Sequence, residues 1–209
     1  MRFARLAAHA ALLASLPIRL QAQQPGGQQQ QDRPDLNFKV DIPSDDARLT
    51  SLKQQAARKV DSMSTLTQQI VDKLFSFSEL GFQEFETQKY LDSLLSRHGF
   101  RVTKGVSGIP SAWAATWTSP AGAKPVISLG SDVDGIPQSN NKPGVGYKDP
   151  LVAGAPGRGE RHNSGQAVNI TAAIAMKQIM ERERIPGTIH LWPGVAEEQI
   201  GTKAYFVRD

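Results

Sequence analysis

The sequence predicts an α/β fold, a sandwich in which helices cover a mostly parallel central sheet. Two observations carry this prediction. Helical and strand-like segments alternate along the chain, and residues 126–129 are almost continuously apolar, as a buried central strand requires. With 209 residues, of which 39% are hydrophobic, the chain is long enough to form one domain around a buried core.

Apolar residues recur at helical spacing in three segments. The first, residues 45–77, follows Ser44, which is a suitable N-cap, and is long enough to contain one break. The second covers residues 86–97. The third covers residues 163–184 and ends before Pro186. These three segments supply the predicted helices.

Four segments have the length and composition of strands and are bounded by Gly, Pro and Ser. They cover residues 100–106, 112–118, 125–130 and 188–192. Residues 138–159 show no periodicity and contain many Gly, Pro, Asn and Lys residues, so we expect a long loop of the kind that is often functional or disordered.

Residues 1–22 have the features of a secretory signal peptide. Two arginines precede an apolar stretch too short to span a bilayer, and Ala22 is a suitable cleavage point. A retained amphipathic helix is the alternative. Residues 23–43, rich in Gln, Gly, Pro and Asp at their start, predict a disordered linker, which leaves residues 44–209 as the folded domain. We therefore expect a secreted or periplasmic protein without a membrane span.

Charge and cysteine content narrow the possible partners and ligands. The formal net charge of +4 arises partly from arginines in the first 22 residues, so it indicates neither nucleic acid nor an anionic membrane as a partner. The chain has no Cys, which excludes disulfides and thiolate ligands. Any metal ion must therefore be held by His and carboxylate groups.

Chemically reactive side chains are concentrated in three turns. One follows the strand at 125–130, one ends the long loop, and one follows the strand at 188–192. In α/β folds, ligands collect beyond the carboxyl ends of the strands, so these turns are the candidate site. Its residues are Asp132, Asp134, Glu160, His162, Glu197 and Glu198.

Acidic residues gathered at strand ends favour a bound cation, because neighbouring carboxylates repel each other unless a cation or proton lies between them. Zinc is commonly bound by imidazole and carboxylate, and hydrolytic zinc sites add a carboxylate that takes the proton from water. The adjacent Glu197 and Glu198 are able to divide these two tasks.

Each of these motifs, taken alone, is common on protein surfaces. The pair Glu197 and Glu198 fits a solvated loop, and His162 fits a polar residue at the start of a helix. A calcium loop is disfavoured because a Gly follows Asp134 too early, and a phosphate loop because no Lys follows the glycines of the long loop. A nucleophilic Ser164 would need a sharp strand-to-helix turn, which the sequence does not predict.

Taken together and in order, four stretches resemble the zinc-dependent aminoacylase and carboxypeptidase superfamily, and most closely its aminobenzoyl-glutamate hydrolase-like amidohydrolases. The resemblance covers roughly residues 45–209. The matching stretches are residues 77–87 with "PELGFEEFRT", residues 130–137 with "RADMDALP", residues 157–163 with "GHGCGHN", and residues 195–198 and 201–204 with "PAEE" and "GGKA".

This resemblance implies a zinc-exopeptidase-like sandwich that hydrolyses the amide bond of N-acyl or N-aroyl amino acids or small peptides. By position, His162 and Glu198 correspond to metal ligands, and Glu197 corresponds to the general base. Glu160 stands where many relatives have a Cys that bridges two metals, so it is predicted to be a ligand. The resemblance implies two divalent ions in the full-length protein, zinc or alternatively Mn or Co.

Asp134 matches an acid that orients the ligands from behind, and Asp132 lies beside it. The chain departs from the family pattern at Arg158 and Arg161, where relatives have His and Gly. The family's remaining His ligands and its lid or dimerisation domain would lie beyond Asp209, so we expect an N-terminal fragment, and any homodimer would use the absent domain. A non-catalytic relative without a complete metal site is the alternative.

Overall fold

The computed structural model of the chain describes residues 44–199 and 201–209. The predicted signal peptide (1–22) and linker (23–43) lie outside these residues. The described part contains five helices, four strands and two short 3₁₀ turns, at Val106–Gly108 and Glu197–Gln199. In chain order the helices and strands are α1 (Ala47–Asp61), α2 (Ser64–Phe77), α3 (Phe85–Arg97), β1 (Arg101–Lys104), β2 (Trp113–Thr118), β3 (Val126–Asp132), α4 (His162–Glu183), β4 (Thr188–Gly194) and α5 (Thr202–Arg208).

Helices α1 to α4 follow the predicted periodicity closely, whereas α5 was not predicted. The first predicted helix is broken once, between α1 and α2, where Ser62 ends α1 and Met63 precedes α2. We expected Ser44 as the N-cap of α1, but the N-cap is Asp46. The Asp46 carboxylate accepts a hydrogen bond of 2.6 Å from the backbone N–H of Leu49. None of the described helices is long and apolar enough to cross a membrane.

The α/β class is confirmed, and the sheet is mixed. Its four strands have the order β1-β2-β4-β3, in which the pairs β1–β2 and β2–β4 are antiparallel and only β3–β4 is parallel. The expectation of a mostly parallel sheet is therefore wrong for the described strands. The connection from β1 to β2 is too short for a crossover helix, whereas α4 provides the crossover between β3 and β4.

Strand β3 lies at the end of this order, and its residues Val126 and Ile127 are exposed. The prediction of a buried central strand at 126–129 is thus wrong for the described part of the chain. An apolar run of this length suits either position, so its composition alone did not identify an edge strand.

The core lies between the sheet and α2, α3 and α4. Helix α4 packs on β3, α2 and α1, and buries one side with residues such as Ile170 and Ile174. From the sheet, Trp113 and Leu191 are almost fully buried. Large apolar side chains packed in this way provide most of the stabilisation of such a domain. This packing holds the first turn of α4 against the carboxyl ends of β3 and β4.

Candidate metal centre

The parallel strands β3 and β4 end side by side, with Asp132 opposite Gly194 in their register. The first residue of α4, His162, lies at the same edge of the sheet. The turn after β4 then brings Glu197 to this point. Three separate segments of the sequence therefore meet at the carboxyl edge of the sheet, as α/β folds favour.

The ring of His162 is oriented by the backbone of Asp134. Its Nδ1 lies 2.9 Å from the carbonyl oxygen of Asp134, which is able only to accept a hydrogen bond. In the neutral ring, Nδ1 therefore carries the hydrogen. Nε2 then carries a free electron pair. This atom lies 4.0 Å from Asp132 Oδ2 and 3.7 Å from Glu197 Oε2. This is the orientation that a metal-binding His requires.

Asp132, His162 and Glu197 each offer one ligand atom, and these atoms lie within 4.8 Å of one another. Imidazole and carboxylate together suit zinc. The Oδ1 atom of Asp132 is buried and has no hydrogen-bond donor in the described structure. The Lys203 ammonium group, 2.9 Å away, is the cation that approaches this oxygen in the described structure. The donor set of one imidazole and two carboxylates is nevertheless of the kind that holds a divalent ion.

Asp132 is able to adopt this position because residue 194 has no side chain. A Cβ atom at Gly194 would lie 1.7 Å from Asp132 Oδ1, far inside any possible contact. The close approach, and not the backbone conformation, requires glycine here.

Asp134 is completely buried and connects several parts of the site. Its Oδ2 accepts a hydrogen bond of 2.9 Å from the backbone N–H of Glu198, and its Oδ1 lies 3.4 Å from His162 Nδ1. Burial alone would raise the pKa of Asp134, but the His162 imidazole beside Oδ1 and the hydrogen bond from the Glu198 backbone N–H outweigh burial and hold the pKa below its usual value. The carboxyl group is thus ionised and orients its neighbours.

Burial opposes the charged form of His162, yet its pKa is raised, because the hydrogen bond to the Asp134 carbonyl oxygen and the nearby carboxylates of Asp134 and Glu160 outweigh the desolvation. Around this imidazole, carboxylates outnumber the cationic groups Arg158 and Lys203. Such an excess of negative charge attracts a cation.

The turn that carries Glu197 and Glu198 is supported by Glu84. This fully buried carboxylate accepts hydrogen bonds from the backbone N–H of Ala196 (2.8 Å) and from Ser111 Oγ (2.7 Å). Burial raises the pKa of Glu84. Glu198 is exposed and lies outside the group of three ligand atoms, and desolvation together with the charge of Glu197 raises its pKa.

The two arginines that depart from the family pattern, Arg158 and Arg161, differ in their exposure to solvent. Arg161 is exposed, whereas the side chain of Arg158 is only 1% exposed and points inward. Arg158 donates to the carbonyl oxygens of Leu74 (3.2 Å) and Asp134, and its Nη1 lies 3.5 Å from Glu160 Oε1. Burial lowers the pKa of Arg158, while the charge of Glu160 opposes this effect.

A second cation reaches the site from α5. The Nζ atom of Lys203 lies 2.9 Å from Asp132 Oδ1 and 3.8 Å from Glu197 Oε1. The first contact is an ion pair. The ammonium group partly neutralises the two carboxylates that face His162.

All six residues predicted from the sequence lie at this edge of the sheet, but they do not form one group. The three that offer atoms to one position are Asp132, His162 and Glu197, while Glu160 pairs with Arg158 and Glu198 is exposed. The ligand roles of Glu160 and Glu198, and the base role of Glu197, stay predictions. Sequence reasoning missed the contributions of Gly194, Glu84 and Lys203 to the site. The contact of Gly194 with Asp132 could have been found by pairing β3 with β4 in parallel, because that pairing places the two residues opposite each other.

In fold, the described residues match M20-family peptidase structures: a dinuclear metal-binding peptidase from Bacillus subtilis has a TM-score of 0.51 and 19% identity, over 69% of this chain and 39% of that one. The aminobenzoyl-glutamate utilization protein of Klebsiella pneumoniae has a TM-score of 0.51 and 14% identity, over 73% of this chain and 43% of that one.

In sequence, the chain is 31% identical over 140 residues to one of the subunits of p-aminobenzoyl-glutamate hydrolase from Escherichia coli K12. The match covers 67% of this chain and 28% of that relative. No protein-family model matches the chain. The predicted resemblance is confirmed: the chain is similar in sequence to a p-aminobenzoyl-glutamate hydrolase subunit and similar in fold to M20-family peptidases.

Proposed function

We propose that this chain carries the metal-binding part of a metal-dependent amidohydrolase, which cleaves the amide bond of N-acyl or N-aroyl amino acids or small peptides. The observation that supports it best is the convergence of Asp132, His162 and Glu197 on one position. The N-aroyl class is suggested by the relative named as a p-aminobenzoyl-glutamate hydrolase.

Asp132 and His162 are the proposed ligands of one ion, and the pair Glu197 and Glu198 supplies one further ligand and the general base. The sequence assigns the base to Glu197 and the ligand to Glu198. A divalent ion here would polarise the amide carbonyl and lower the pKa of a water molecule. Glu197, partly open to solvent beside His162, would take the water proton and pass it to the leaving amine.

The supporting residues each hold one part of this arrangement. Asp134 fixes the ring of His162 and the backbone of Glu198, while Glu84 holds the preceding Ala196. Zinc suits the imidazole and carboxylate donors, and Mn or Co are alternatives. Export by a signal peptide and a homodimer formed through a further domain belong to the same proposal, on the basis of the N-terminal sequence and the family resemblance.

The rival proposal is a non-catalytic relative. Two observations favour it: Arg158 is buried beside Glu160, and the Lys203 ammonium group already neutralises Asp132. Both groups would oppose a divalent ion. Calorimetric titration with zinc separates the two proposals, because a relative without a metal site would show no saturable binding.

The deciding experiment compares Glu197→Gln and Glu198→Gln in the full chain, with Glu181→Gln, an exposed carboxylate elsewhere on α4, as the matched control. Zinc binding is measured by calorimetry, and amide hydrolysis is measured with p-aminobenzoyl-glutamate and N-acyl amino acids. If Glu197 is the base, its variant binds zinc but does not turn over substrate, whereas the Glu198 variant binds zinc more weakly. Undiminished turnover by Glu197→Gln would refute the base assignment.

A further inference from the structure

We propose that the buried guanidinium group of Arg158 takes the place of a second metal ion, so that the site of this chain holds one divalent ion. The inference rests on the proposed metal centre and specifies how many ions it binds. It replaces the sequence-based assignment of Glu160 to a metal.

Arg158 is built into the interior of the site. Its side chain is 1% exposed and bridges the carbonyl oxygen of Leu74 at the end of α2 and the carbonyl oxygen of Asp134. The same Asp134 oxygen accepts the hydrogen bond from His162 Nδ1. The positive charge of Arg158 therefore lies directly behind the candidate ligand His162, and an arginine keeps its proton in proteins.

Glu160 is engaged with this arginine. Its Oε1 lies 3.5 Å from Arg158 Nη1, and its Oε2 accepts a hydrogen bond of 2.6 Å from the backbone N–H of Gly159. The carboxylate of Glu160 is absent from the three-residue group that offers atoms to one position. Its negative charge is thus compensated by an arginine, where a bridging ligand would be compensated by two metal ions.

The remaining geometry also accommodates one ion. Asp132, His162 and Glu197 converge on a single position, and Arg158 lies on the opposite side of His162, next to Nδ1. A second divalent ion near Glu160 would meet a guanidinium group that is not able to lose its charge. Like charges this close, and away from water, repel strongly. The dinuclear peptidase of similar fold shows that the fold itself allows two ions.

The test is a metal count on the full chain. Zinc content is measured by mass spectrometry of the metal after dialysis, and Co²⁺ is titrated while its visible absorption is recorded. We expect one zinc per chain and a single break in the cobalt titration at one equivalent. Two ions per chain would overturn the inference and leave the proposed metal centre in place. No bound ion would overturn both.

Three variants and one control variant make the test independent of the number of ions bound by the wild type. Glu160→Gln is expected to keep one zinc per chain, because Glu160 pairs with Arg158, whereas Asp132→Asn is expected to lose it. Loss of zinc from Glu160→Gln would show that Glu160 is a ligand and would overturn the inference. Arg158→His is expected to bind a second equivalent of cobalt, with Arg161→His, an exposed arginine, as the matched control; circular dichroism confirms that each variant folds.

Discussion

Replacing Gly194 with Ala tests the arrangement of the site through a change that adds a single methyl group. The new Cβ atom would lie 1.7 Å from Asp132 Oδ1, and real contacts of Cβ atoms essentially never fall under 3.0 Å. The two atoms must therefore move apart by about 1.3 Å. The side chain of Asp132 is the part that moves, because the backbones of both residues are held in the ladder between β3 and β4.

Two effects are expected from this displacement. The first is a loss of zinc affinity on the order of 100-fold, because a misplacement of about 1 Å is sufficient to disable a positioned group. The second is a loss of about 1–3 kcal/mol in the free energy of unfolding, typical of overpacking. An unstrained Gly→Ala change would instead stabilise the chain by about 0.4–1 kcal/mol.

The assays are zinc calorimetry and urea unfolding of the metal-free chain. Gly146→Ala is the control, because a Cβ atom there meets nothing within 4 Å and the residue does not have a positive φ. A double-mutant cycle with Asp132→Ala, followed by urea unfolding of the metal-free chain, isolates the contact: once the carboxylate is gone, Gly194→Ala should lose most of its cost in the free energy of unfolding. If Gly194→Ala bound zinc as tightly as the wild type, Asp132 would not be a ligand in this position.

Three further outcomes follow from the same structure. Lys203→Met should bind zinc up to about fivefold more tightly, because the ion no longer displaces an ammonium group from Asp132, and equal affinity by calorimetry would contradict this. Zinc at 100 times its Kd should raise the free energy of unfolding by about 2.7 kcal/mol, and a chelator should remove this gain, as followed by urea unfolding. Burial raises the pKa of Asp92 in the folded state above its ordinary value of 3.8, although Lys104 opposes the shift. The folded state therefore loses stability as pH rises from 3.8 through the folded pKa. Asp92→Asn should lack this loss, and urea unfolding between roughly pH 3.5 and roughly pH 7 checks the difference in slope.

Local patterns predicted the helices well, because the spacing of apolar residues reports directly which side of a helix is buried. The first predicted helix contains the one break that its length allowed, and the last long helix starts at His162, next to the predicted start at residue 163. The order of the strands in the sheet was harder to predict than the helices. The apolar run at Val126 suits either a central or an edge strand, and the pairing partners lie far apart in the chain.

The candidate site was predicted as a region but not as a geometry. Motif order identified the six acidic and His residues, since each follows a strand or precedes a helix. The direction of Arg158 was not predictable, because a long side chain next to a glycine-rich loop is able to point inward or outward. Lys203 and Glu84 were missed as partners of the site because their contacts join positions that are 71 and 112 residues apart in the sequence.

Asp134 explains why these separate elements form one site. Its backbone oxygen accepts hydrogen bonds from both His162 and Arg158, and its carboxylate accepts the backbone N–H of Glu198. The ligand ring, the buried cation and the acidic turn are therefore all positioned by one buried residue. Because burial alone would favour the neutral carboxyl group, the lowered pKa of Asp134 shows that its donors together outweigh desolvation. Any change that loosens Asp134 would thus disturb the orientation of His162 and the acidic turn at once.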